Sequence, residues 1–85
     1  MAADVESTIR KVLEVHGQLG GAATSIGTED DLYQRGLSSH ASVNVMLALE
    51  DAYDLEFPDA LLKRDTFRSI TSIRGALVTM GVDDA

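Results

Sequence analysis

Residues 36–59 read GLSSHASVNVMLALEDAYDLEFPD. Gly36 follows Arg35 at a place suited to a turn, and Ser38 and Ser39 are both of the type that caps a helix N-terminus. Apolar residues then recur at helical spacing until Phe57-Pro58, where the residue before a proline disfavours helix. The stretch therefore predicts a helix from the serine pair through Asp54. Placed at about 100° per residue, Ser42, Val45, Met46, Leu49, Ala52 and Tyr53 form the face toward a core. Val43 and Leu47 lie on the far side, one turn apart and in line with Ser39, flanked by His40, Glu50, Asp51 and Asp54. This exposed pair is either ordinary surface or a small strip for docking a partner.

Working outward, Val5, Ile9, Val12, Leu13, His16 and Leu19 form a stripe of an earlier helix that the pattern carries to Gly20-Gly21. Between it and the central helix runs a long Gly/Ala/Thr/Ser-rich connection, which Ile26, Leu32 and Leu37 are placed to anchor. Beyond Phe57, Pro58 opens a short helix over Asp59 to Lys63. A last helix spans Ser69 to Met80, with Ile70, Ile73, Ala76, Leu77 and Met80 inward and Gly81 as its stop. The fold expected is all-α, a small four-helix bundle of three main helices and one short one. It forms a single domain over 1–85 with an ordered core of about 4–81.

Composition removes most functions. Eighty-five residues make one small domain with little room for a deep catalytic cleft. Seven Lys plus Arg against fourteen Asp plus Glu give a net charge of -7, which repels nucleic acid. No apolar run reaches membrane-spanning length, and MAADVESTIRKV lacks the basic start and apolar core of a signal peptide, so the chain reads as a cytoplasmic monomer with no membrane partner. There is no cysteine, and two histidines without clustered partners make no metal site. Ser39 and His40 are neighbours on a helix and diverge by about 100°, which defeats a nucleophile–base pair. A hydrolase elbow would need a preceding strand and a second glycine, both missing. No enzyme reading survives.

DLYQRGLSS (31–39) followed by ALEDAYDLEFPD (48–59) resembles the acyl and peptidyl carrier protein superfamily over most of the chain. That resemblance implies the carrier fold with its long loop between helices one and two. The spacing from the serine to Ala48-Leu49-Glu50 and Pro58 implies Ser39, not Ser38, as the attachment point of covalent 4'-phosphopantetheine. A phosphopantetheinyl transferase is then a partner. Ser38 stands where the family has Asp or His, His40 where it has Leu, and Ala41, Ser42 and Asn44 where fatty-acid carriers have acids. Taken whole, GLSSHASVNVMLALEDAYDLEFPDALLKRDTF (36–67) is similar to small bacterial aminoacyl carrier proteins. Those are loaded by ATP-dependent amino acid:carrier protein ligases resembling class II seryl-tRNA synthetase, with glycine or alanine held as a thioester. His40, Val43, Leu47, Lys63 and Arg64 are the candidate partner-binding residues, the basic pair being either a solvated face or part of the ligase's docking site. The other readings are a generic acyl, polyketide or nonribosomal carrier, and a helical interaction module whose serines are only a cap.

Overall fold

Asp4 opens the first helix by accepting the Ser7 amide on its carboxylate at 2.7 Å, which satisfies one of the orphan donors of the first turn. The structure is a computed structural model and describes residues 4–19 and 25–83. Helix α1 runs Val5–His16, α2 Ser39–Tyr53 and α3 Ile70–Thr79. No strand occurs among the described residues. Val5, Ile9, Val12 and Leu13 of α1 meet Ala41, Val45 and Leu49 of α2 and Ile70, Ile73, Ala76 and Leu77 of α3 in one core. The long connection is tied down as its apolar residues suggest, since Ile26, Leu32 and Leu37 are buried. Its backbone is stitched to the region around the start of α3: Leu32 N–H donates to Arg68 O at 2.6 Å, and Thr71 N–H to Thr28 O at 3.0 Å. Gly36, at φ 113°, makes the turn into α2 in a region of backbone space that costs other residues strain.

Four expectations need correction. Helix α1 ends at His16 with Gly17 as its cap, short of Gly20-Gly21, which lie outside the described residues. His16, at the end of α1, is exposed and off the inward stripe, and after Gln18 turns the chain at φ 57° Leu19 is buried outside the helix. On α2 the inward row is Ala41, Val45 and Leu49, one i,i+4 line; Ser42, Met46 and Tyr53 are half-buried and Ala52 is exposed. The short helix expected over Asp59 to Lys63 is a 3-10 turn, Asp59–Leu61, and a second 3-10 turn that the sequence did not suggest, Arg64–Phe67, follows it. Leu62 (φ -86°, ψ 67°) and Lys63 (φ -141°, ψ 160°) leave helical geometry between them. That break lets Thr66 and Phe67 turn inward, where the Phe67 ring packs on Phe57 with centroids 5.5 Å apart. Helix α3 stops as its glycine suggests: Gly81, at φ 99°, lets Val82 N–H reach Leu77 O at 3.0 Å while Gly81 N–H bonds Val78 O at 3.0 Å.

Candidate functional site

The two adjacent serines divide their roles. Ser38 is extended (φ -83°, ψ 163°) and is the N-cap of α2, its Oγ accepting the Ala41 amide at 3.0 Å. Ser39 is the first helical residue and is exposed. Its carbonyl accepts the Ser42 hydroxyl at 2.7 Å. Because Ser38 does the capping, the Ser39 hydroxyl is not required for it. Helix α2 has no acid in its first turn, although the chain as a whole carries -7. The hydroxyl thus stands at the positive end of a fifteen-residue helix that has no carboxylate in its first turn.

Ser39 lies on the rim of an open cleft of about 540 Å³ between α2 and the 3-10 turns. Ser42, Val43 and Met46 line the α2 side, Leu62, Lys63, Arg64 and Phe67 the other, and Tyr33 closes one end. Tyr33 fixes the second wall. Its hydroxyl donates to Arg64 O at 3.0 Å, and the Arg64 guanidinium lies over its ring at 3.8 Å. Burial pushes the Tyr33 phenol above its usual range against the pull of Arg64, so it remains a neutral donor at physiological pH. Among the nine lining residues are two cations and no carboxylate.

The fold brings Ser39, Val43, Lys63 and Arg64 to this one cleft. Leu47, 51% exposed, lies instead along a second groove between α1 and α2 that Val15 and His16 also line. Val43, 49% exposed, and Leu47 thus stand on the crest of α2 between two depressions. His40 is exposed on the first turn and lines neither. Tyr33, Met46, Leu62 and Phe67 escaped sequence reading as parts of the site. Tyr33 sits inside the DLYQRG stretch, but only the fold reveals that it reaches across 31 residues to Arg64.

No family model matches the chain. It is 51% identical over 69 residues to the aminoacyl carrier protein of Agrobacterium fabrum, covering 81% of this chain and 83% of that one. Its structure superposes with TM-score 0.83 and 48% identity on a chain in the crystal structure of an engineered Bradyrhizobium japonicum glycine:carrier protein ligase complexed with carrier protein from Agrobacterium tumefaciens and AMP. The match covers 86% of this chain and 97% of that one. At 24% identity and TM-score 0.76, a chain from the Bradyrhizobium japonicum ligase with its cognate carrier protein shares the fold. With half of its residues in the matched region identical to those of a curated relative and the same helical fold, this chain belongs to the aminoacyl carrier proteins.

Proposed function

We infer that the protein carries a small amino acid, glycine first among the candidates, on a 4'-phosphopantetheine arm attached to Ser39. The observation that carries this reading is the division of roles at the start of α2. Ser38 holds the cap, which leaves an exposed hydroxyl at the first helical position beside a cleft with two cations and no acid. A phosphodiester there gains from the helix dipole and the first-turn N–H groups, typically by about 0.3–1 kcal/mol at an exposed site. The residues present therefore fit the linkage. When bound, the arm supplies a thiol that this cysteine-free chain lacks, and with it a thioester link to the cargo.

The chain's own part is attachment, orientation and presentation: Ser39 Oγ supplies the bond, α2 orients its root outward, and no side chain performs chemistry on the cargo. A phosphopantetheinyl transferase installs the arm. An ATP-dependent ligase of the kind crystallised with the Agrobacterium carrier loads it, docking on the α2 crest at His40, Val43 and Leu47 and on Lys63 and Arg64. The -7 charge favours fast, reversible encounters with basic partner surfaces. The test is charging of the holo protein with ATP, glycine or alanine, and a glycine:carrier protein ligase. A hydroxylamine-labile aminoacyl adduct is expected on holo protein and none on apo protein or Ser39→Ala. Loading by fatty acyl transfer enzymes, with no amino acid accepted, would contradict the aminoacyl cargo.

A further inference from the structure

The cleft beside Ser39 has a chemistry that bears on the cargo itself. Val43 and Leu62, 49% and 45% exposed, are two of the large apolar side chains this chain leaves in solvent, and with Met46 they line the same depression as Ser39. An arm tethered at Ser39 reaches such a surface without leaving the molecule, so even a weak contact is populated by its high effective concentration. The same walls carry Lys63 and Arg64 and no carboxylate. Arg64 is held in place by the Tyr33 ring under its guanidinium and the Tyr33 hydroxyl on its carbonyl. Lys63 has no ion pair among the described residues.

The two ends of a loaded arm respond oppositely to these charges. A phosphodiester at the root is drawn to them. An α-aminoacyl group at the tip is an ammonium ion at neutral pH, and like charges a few ångströms apart at a protein surface change an equilibrium by roughly tenfold. Resting on the carrier reading above, we propose that Lys63 and Arg64 let the cleft seat an arm with a neutral tip and expel it once the tip carries a free α-amino group. Cargo charge then decides whether the tip is sheltered or presented. The loaded state is the exposed one, ready for the acceptor.

Isotope-labelled protein is loaded at Ser39 from coenzyme A analogues carrying amide-linked glycyl or N-acetylglycyl tips, which resist hydrolysis, and intact mass verifies attachment. The methyl shifts of Val43, Met46 and Leu62, relative to apo protein, report seating. The N-acetylglycyl arm is expected to shift them about threefold more than the glycyl arm. In Lys63→Glu/Arg64→Glu, where the cleft attracts an ammonium tip, the preference should reverse. Lys63→Gln alone, which leaves the Arg64–Tyr33 stack intact, should narrow it if the double variant fails to fold. Equal shifts from the two tips in the native protein, or an unchanged difference in the variants, would overturn this proposal alone. Failure of the arm to attach at Ser39 would overturn it together with the carrier reading.

Discussion

At the residue scale the two serines are separable by experiment. Ser38→Ala removes the side-chain acceptor of the Ala41 amide and should cost about 1 kcal/mol in denaturant unfolding, whereas Ser39→Ala, at an exposed position without the capping role, should stay within about 0.5 kcal/mol. A larger loss for Ser39→Ala than for Ser38→Ala would reverse the division of roles. Residue types alone left both serines open as the cap, because the choice depends on which one is extended, and it is Ser38, following the buried Leu37 and the Gly36 turn at φ 113°, that is extended. Tyr33 was illegible for a similar reason. Its partner is the backbone carbonyl of a residue in a distant turn, which no local pattern encodes.

At the scale of elements, the docking role proposed for the α2 crest can be tested apart from stability. Leu49 is fully buried, so Leu49→Ala should destabilise by about 2–5 kcal/mol, and Tyr53→Ala, at a half-buried site, by less. Val43→Asp and Leu47→Asp should change the unfolding midpoint little, within about 0.5 kcal/mol, while slowing charging by the ligase. Thermal melts beside charging rates check both; unfolding of Leu47→Asp would show that the crest belongs to the core. All three main helices were legible because each carries an apolar period and a cap residue. The inward row of α2 was placed slightly off, since Ala41 is small and sits in a polar run while Tyr53 is large and only half-buried. The end of α1 was overrun because Leu19 continues the apolar spacing although the chain has already left the helix at Gly17. Nine residues from Asp59 to Phe67 are too few for a helical period to show, so the first 3-10 turn reads as a helix over Asp59 to Lys63 and the second, Arg64–Phe67, does not show.

At the scale of the whole molecule, charge and fold act together. The Asp4 carboxylate is held below the usual aspartate range chiefly by the Ser7 amide, and that of Asp30 chiefly by the Gly27 amide. A depressed folded pKa means stability that is present at neutral pH and lost as pH falls below the unfolded aspartate value through the folded one. Acid titration followed by NMR should show both carboxyls protonating below the range of free aspartate; ordinary values would remove their part in capping α1 and bracing the loop. Taken together, a chain without cysteine, with a buried helical core and a single capped serine pair beside a cation-lined cleft, is built to display an attached group while partners do the chemistry. Intact mass after incubation with coenzyme A and a broad-specificity phosphopantetheinyl transferase tests that claim most directly. The account predicts one added phosphopantetheine on the native protein and on Ser38→Ala and none on Ser39→Ala, whereas an arm persisting on Ser39→Ala, or a folded native protein that takes none, would contradict it.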